Sequence, residues 1–381
     1  MQHRLTSLTA LLLAAVGFLS AANVATEPAA ARQQHAAPDS LATVQVRGPL
    51  GRALDSLLTS YETHGFAGAV LIVRRDKVVL SKGYGFADIP RRVRNGPDTR
   101  FEMNSITKMF TGVSILQLAS AGKIRLDAPI AQYLGPFPAS KRGATVEQLA
   151  WHTAGLAVAG TQLAGNSRDA FVAAVKSAPM ESRPGERYRY TNAGYSLLAA
   201  IIEVASGQAF EDYLRQHIFV PAGMQSAVFR TEVPAADSRF ARGYVSSPAG
   251  PAPGPPNPYN WGTVGAGGVW TTVGDIYRWV VTVERGDVVP RQYRALLFSP
   301  PPTPSLEAYG WHVRPPTDSA RARIEKGGGS DDFASQLIYF PRDSVTIVWA
   351  SNNLERRWRQ TLNRALPDLI FTGTTQAPLP R

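Results

Sequence analysis

Ser105 and Lys108 stand three residues apart in Phe101-Glu-Met-Asn-Ser-Ile-Thr-Lys-Met-Phe-Thr-Gly112, at the entrance to a strongly apolar stretch. A serine becomes a nucleophile when a nearby base takes its proton, and a lysine can be that base only if it spends time neutral. Burial and a neighbouring cation both lower a lysine pKa toward the working range. Three residues is nearly one helical turn, so the Lys108 side chain returns to the face that carries Ser105. At a helix start, backbone N–H groups and the positive dipole end also favour a developing alkoxide and help form an oxyanion pocket. The same position suits an ordinary N-cap, so spacing alone leaves both readings open. Of only seven lysines, a second also falls in this pattern, as Ser120 and Lys123. That pair lies at the far end of the run, beside Gly122, where the dipole has the wrong sign. It is read as structural.

A serine–lysine pair needs further groups to move its proton, and two stretches offer them. Pro184-Gly-Glu-Arg-Tyr-Arg-Tyr-Thr-Asn-Ala-Gly194 places Tyr190 and Asn192 at a loop-to-helix junction. Tyr190 could shuttle a proton, while Asn192 could hold Lys108 and hydrogen-bond a substrate amide. A core tyrosine and an N-cap would account for the same two residues. Ile324-Glu-Lys-Gly-Gly-Gly329 sets a cation and three bare glycines on an edge-like strand, where a ligand backbone could come close. A bulge would explain the glycines equally well. Other chemistries find little support. There is no Gly-x-Ser-x-Gly elbow, no His-Glu-x-x-His and no Walker-type phosphate loop. The six histidines form no tight cluster with carboxylates, and cysteine is absent, so neither a metal nor another cofactor is expected.

The surrounding chain must position these groups. Its 381 residues, 44% of them hydrophobic, can supply a sizeable core without disulfide staples. The net charge of +11 is scattered rather than gathered into a stripe, which argues against a nucleic-acid partner. Met1–Ala22 carries one positive charge, an apolar run and a small-residue end, the layout of an export signal. A periplasmic or secreted protein is therefore expected, with membrane association only if that segment stays uncleaved. Residues 23–45 read as a disordered lead-in, 46–372 as one domain and 373–381 as a tail. Within the domain, Leu54, Leu57, Leu58 and Tyr61 make a helical stripe, followed by strands over Ala69–Val73 and Lys77–Leu80 joined as a hairpin. Ile106–Ala121, apolar nearly all round, should be a buried helix, and Asn192–Gly207 and Phe210–Phe219 should be two more. Ser247–Pro258, rich in Pro and Gly, reads as a surface loop that can be neither a helix nor a central strand. Strands return at Ala334–Phe340 and Val345–Ala350, and a helix bearing Leu354, Trp358, Leu362 and Leu366 closes the chain. Strands at both ends of a helical middle imply an α/β (α+β) fold. One antiparallel sheet is built from N- and C-terminal segments, with an inserted, mainly helical region.

The three polar elements, Ser105-x-x-Lys108, Tyr190-x-Asn192 and Lys326-Gly-Gly328, occur in the order found in the penicillin-recognising serine enzymes. The chain resembles their branch of class C β-lactamases, DD-peptidases, D-aminopeptidases and related esterases. The likeness takes in Gly68–Val73, Trp151-His-Thr-Ala-Gly-Leu156, Pro221–Met224 and Gly267–Asp275, and spans roughly residues 50–370. It implies a β-lactamase-like fold with the active site between sheet and helical region. It also implies an acyl-enzyme on Ser105, with Lys108 and Tyr190 handling the proton and Asn192, Lys326, Gly327 and Gly328 meeting the substrate. The oxyanion hole would be the backbone N–H groups of Ser105 and Gly329, and His152 would be structural. Esters or peptide-like amides are the expected substrates, with β-lactamase, DD-peptidase or penicillin-binding activity as the alternative. A non-catalytic penicillin- or peptide-binding module is the reading from a different class. One departure bears on substrate choice. The family's third motif usually reads Lys-Thr-Gly or Lys-Ser-Gly, whereas Gly327 has no hydroxyl for a substrate carboxylate. With Asp331 and Asp332 expected beside the cleft, anionic substrates should be captured weakly.

Overall fold

Gly68-Ala-Val-Leu-Ile-Val-Arg74 has no polar side chain until its last residue, a pattern that suits a strand covered on both faces. The structure, a computed structural model, describes residues 41–157, 167–245, 250–254, 259–299, 306–318, 320–353 and 356–375. In it this run is a central strand of an eight-stranded sheet. The strands are β1 (Gln45–Val46), β2 (Gly68–Arg74), β3 (Lys77–Tyr84), β4 (Glu307–Ala308), β5 (Trp311–Arg314), β6 (Arg323–Gly329), β7 (Ala334–Phe340) and β8 (Val345–Ser351). Their spatial order is β1-β3-β2-β8-β7-β6-β5-β4, with every neighbouring pair antiparallel. Early and late segments meet at the β2–β8 ladder, which runs from Arg74 opposite Val345 to Gly68 opposite Ser351.

Alternation along the strands divides the apolar side chains between two cores. Val70, Ile72, Ile347 and Trp349 pack under helices α1 (Gly48–Glu62) and α5 (Arg356–Thr372), against Leu54, Leu58, Trp358, Leu362 and Leu366. Ala69, Leu71, Val73, Val348 and Ala350 face the inserted region, whose main helices are α2 (Thr107–Ser120), α3 (Asn192–Ser206) and α4 (Val273–Arg285). Helix α2 is buried nearly all round, its apolar residues spread over every face. Each large side chain buried there contributes about 1.5–3 kcal/mol. Two glycines let the sheet seat directly on α2. A Cβ on Gly112 would overlap the Tyr309 carbonyl, and one on Gly310, at φ +88°, would overlap the Lys108 carbonyl. The β4–β5 turn therefore presses on the first turns of α2 and carries Glu307 with it.

The expected elements recur with small shifts in their ends, and three points differ or fall outside. Leu41, within the segment read as a disordered lead-in, is buried, and its carbonyl accepts from the Ser81 hydroxyl at 3.1 Å. The lead-in is thus partly a docked segment, because one leucine finds a place in the core. The Pro/Gly-rich run supplies Ala252–Pro253, which pairs antiparallel with Tyr244–Val245, short enough for its prolines to sit at an edge. Residues 246–249 and 255–258, Leu354, residues 1–40 and residues 376–381 lie outside the described residues, and with them the segment read as an export signal and most of the expected tail. Among the described residues no single helix is long and apolar enough to cross a membrane.

Candidate active site

The chain enters α2 through a sharp corner. Asn104 adopts φ +50°, a left-handed conformation that asparagine tolerates better than most residues. Residues Asn104–Ile106 then form a single 3₁₀ turn that runs into Thr107. A small three-stranded sheet of Phe101–Glu102, Val269–Thr271 and Val228–Phe229 holds the approach, and the Met103 N–H donates to the Val269 carbonyl at 2.9 Å. Ser105 makes no side-chain cap for either helical segment. Its Oγ accepts instead from Lys108 Nζ at 3.2 Å and from the Tyr190 hydroxyl at 2.9 Å. Ser120 and Lys123, the other pair with this spacing, are exposed at the far end of α2.

Lys108 is fully buried, at 0% exposure, in the first turn of α2. Its Nζ donates to Asn192 Oδ1 at 2.8 Å and to the Ala266 carbonyl at 2.9 Å, and lies 5.0 Å from the centroid of the Tyr190 ring. Burial lowers its pKa below the ordinary lysine range, and the charge of Lys326 pushes the same way. A neutral amine has two N–H bonds and one lone pair. With Asn192 and Ala266 accepting the two hydrogens, the lone pair is left for Ser105 Oγ. That is the arrangement a general base requires.

Tyr190 and Asn192 are brought to this corner by the start of α3. Thr191 is the N-cap, its hydroxyl accepting from the Ala193 N–H at 3.2 Å, so Asn192 is released for Lys108. Tyr190 is 36% exposed and thus no core tyrosine. Its ring leans on His152, with centroids 4.4 Å apart. His152 Nδ1 accepts from the Thr191 N–H at 3.2 Å, and burial pushes its pKa down to about 3, so it stays neutral. It positions Tyr190 and does not touch the reacting atoms.

The strand tip is built differently from the sequence expectation. Strand β5 pairs with β6 only as far as Glu325, so Lys326–Gly329 has an open edge. Lys326 is 4% exposed and makes an ion pair with Glu307, itself 3% exposed. Burial alone would raise the Glu307 pKa, but Lys326 and then His152 bring it down to about 2. The Lys326 charge, on a residue expected to meet the substrate, is therefore already compensated. The three glycines admit parts of the same chain rather than only a ligand. Gly328 faces Ser105, and a Cβ there would lie 2.9 Å from the Ser105 nitrogen. Gly327 and Gly329 face α5, where Arg359 lies across them and donates through Nη2 to the Gly328 carbonyl. Asp332 does not face the cleft as expected. It is 8% exposed, accepts from the Ser330 hydroxyl at 2.8 Å and packs against Gly243 and Gly254, leaving Asp331 as the exposed acid. Ser105, Tyr190, Lys326, Gly327, Gly329 and Arg359 all line one cleft of about 630 Å³. Glu307, Arg359 and the Ala266 carbonyl were not foreseen. The available signs were an acid just before the Tyr309-Gly-Trp311 turn and an arginine beside the apolar stripe of the last helix.

A serine in hydrogen-bond reach of a buried lysine and a tyrosine thus lies at the seam of an antiparallel sheet and a helical insert. The chain belongs to the Beta-lactamase family, whose sequence profile matches residues 50–368. Among curated relatives it is similar to Protein flp of Staphylococcus aureus strain MW2, 27% identical over 302 residues. It is also similar to a putative penicillin-binding protein, PbpX, of Bacillus subtilis strain 168, 35% identical over 168 residues. These matches cover 74% and 43% of this chain, but only 59% and 42% of the two relatives. In fold it is similar to FmtA from Staphylococcus aureus, with a TM-score of 0.74 and 24% identity over 87% of this chain and 91% of the other. The D-amino acid amidase from Ochrobactrum anthropi SV3 gives a TM-score of 0.68 and 20% identity, over 80% of this chain and 92% of the other.

Proposed function

We propose that the protein is an exported serine hydrolase that forms an acyl-enzyme on Ser105 from small esters or peptide-like amides. The observation that carries this reading is the placement of Ser105 Oγ 3.2 Å from the Nζ of a lysine with depressed pKa and 2.9 Å from the Tyr190 hydroxyl. Ser105 Oγ attacks the substrate carbonyl while its proton passes to neutral Lys108. The N–H groups of Ser105 and Gly329 stabilise the oxyanion, and Tyr190 passes a proton to the leaving group. A water then attacks the acyl-enzyme, returning its released proton to Tyr190, and Ser105 leaves with the proton held by Lys108. Membership of a family with hydrolase members and a likeness to a D-amino acid amidase support the reaction class. The apolar segment 5–22 after Arg4 supports export, which the N-terminal mass of protein recovered from its native host tests.

The deciding experiment incubates the protein with a fluorophosphonate probe and short nitrophenyl esters, and locates the label by peptide mass spectrometry. Labelling at Ser105 with ester turnover is expected. Penicillin bound reversibly with no labelled serine would make the protein a binding module instead.

A further inference from the structure

One buried acid in the turn after Gly329 has no part in the acyl-transfer chemistry. Asp332 is seated between Gly243 and Gly254, where a Cβ on either glycine would overlap its carboxylate. The two glycines flank the hairpin of Tyr244–Val245 with Ala252–Pro253, and the Gly254 N–H donates to the Gly243 carbonyl at 2.9 Å. So lodged, Asp332 Oδ1 accepts from the Ser330 hydroxyl at 2.8 Å. A hydroxyl has one hydrogen and two lone pairs, and here all three are used. The hydrogen goes to Asp332, while Ser330 Oγ accepts from the Phe333 N–H at 3.2 Å and from Asn104 Nδ2 at 3.4 Å. Asp332 thereby fixes Ser330 Oγ as an acceptor for Asn104. These two residues are 226 apart in sequence, yet each adjoins one wall of the cleft. Asn104 precedes Ser105 and holds the left-handed corner at φ +50°, and Ser330 follows Gly329. Their bond therefore ties together the two backbone N–H groups that the proposed function assigns to the oxyanion hole. Such a hole works only while both donors reach the same oxygen.

We propose that Asp332, Ser330 and Asn104 form a clasp that sets the spacing of the two oxyanion donors, with Asp332 as a positioning residue that does not touch the substrate. This rests on Ser105 as the site of acylation. Through Asp332 the hairpin becomes a support of the catalytic geometry.

The test pairs a short nitrophenyl ester with its thiono analogue, in which sulfur replaces the carbonyl oxygen. Sulfur is larger and a weaker acceptor, so it gains less from two well-spaced donors. The native protein should favour the ester in kcat/KM. Asn104→Gly removes the side chain and still tolerates the left-handed backbone, and Ser330→Ala removes the centre of the clasp. Each should lower kcat/KM for the ester about tenfold, within the roughly 10²-fold that a misplacement of about 1 Å can cost. Each should also shrink the ester-to-thionoester ratio, which a loss of folded protein alone would leave in place. The double variant should be no worse than Ser330→Ala, because the same bond is lost only once. Asp332→Leu should act as Ser330→Ala does, whereas Asp332→Asn, still able to accept from the hydroxyl, should keep most of the native ratio. Asp331→Asn, at the exposed acid of the same turn, should leave the ratio as in the native protein and so exclude a charge effect. Melting curves confirm that each variant is folded, and the two smaller changes carry the test if Asp332→Leu is not. Fluorophosphonate labelling at Ser105 with a ratio unmoved by Asn104→Gly and Ser330→Ala overturns the clasp and leaves the acyl-enzyme reading standing. A native protein with no labelled serine and no ester turnover removes that reading, and the clasp with it.

Discussion

The serine corner and the strand tip lie on two sides of one cleft, yet their side chains are held by opposite means. At the serine corner, polarity is concentrated. Ser105, Lys108, Tyr190 and Asn192 make one hydrogen-bonded set, with a backbone carbonyl taking the remaining N–H of the lysine. At the strand tip, the side chains have been removed and charges arrive from elsewhere, Glu307 from β4 and Arg359 from α5. On the proposed function, the first arrangement moves protons. The second sets the potential under which they move and the space in which a substrate lies. A family can keep the first while rewiring the second, because only the first is constrained by the chemistry of acyl transfer.

Ser105→Ala breaks the serine corner most completely. Turnover and probe labelling should vanish, while chemical denaturation should find stability within about 1 kcal/mol of native, since Lys108 keeps its other two acceptors. Lys108→Met and Tyr190→Phe should each lower kcat by about 10²-fold or more, the usual reach of positioned proton transfer. Their double variant should be far less impaired than the product of the singles, because one relay can be broken only once.

Crossing from one region to the other, Glu307→Gln should cost about 3–5 kcal/mol of stability, as Lys326 is left buried without its counter-charge. It should also move the pH profile. Lys108 accepts a proton only when neutral, so kcat/KM rises with pH through its depressed pKa. Glu307 favours the charged lysine, and removing it should shift that rising limb to lower pH. A limb that stays in place would mean the two regions are uncoupled. Ser120→Ala, at an exposed helix end, should leave turnover near native; a collapse there in a folded protein would put the nucleophile elsewhere.

What could be read from the sequence follows the same division. Ser105 and Lys108 are fixed to one another by a single helical turn, and Tyr190 and Asn192 flank a helix start, so short-range rules placed them. The central strands were equally plain, because burial on both faces leaves continuous apolar runs such as Val70–Val73. Glu307 and Arg359 depend on strand order and on the way α5 crosses the sheet, which no local pattern encodes. The glycines at 327–329 advertised a close approach, but not whether a ligand or the chain itself made it. Asp332 was misplaced because the turn after Gly329 rotates it toward Gly243 and Gly254, a matter of loop geometry rather than composition. Leu41 was missed because one apolar residue in a polar segment shows no period.

The ladder joining β2 to β8 has a consequence in time rather than in space. Its two strands come from opposite ends of the domain, so nearly the whole insert must be enclosed as a loop before they can pair. Closing so long a loop is entropically costly, and topologies dominated by distant contacts fold slowly. During synthesis Ser105, Lys108, Tyr190 and Asn192 have all emerged with the start of α3, Ala266 and the strand that holds the corner follow, and β6 comes later still. On the proposed function, the nucleophile and its base are therefore synthesised before the wall that would stabilise the oxyanion. A nascent or truncated chain carries a serine beside its base and still lacks a working catalytic cleft.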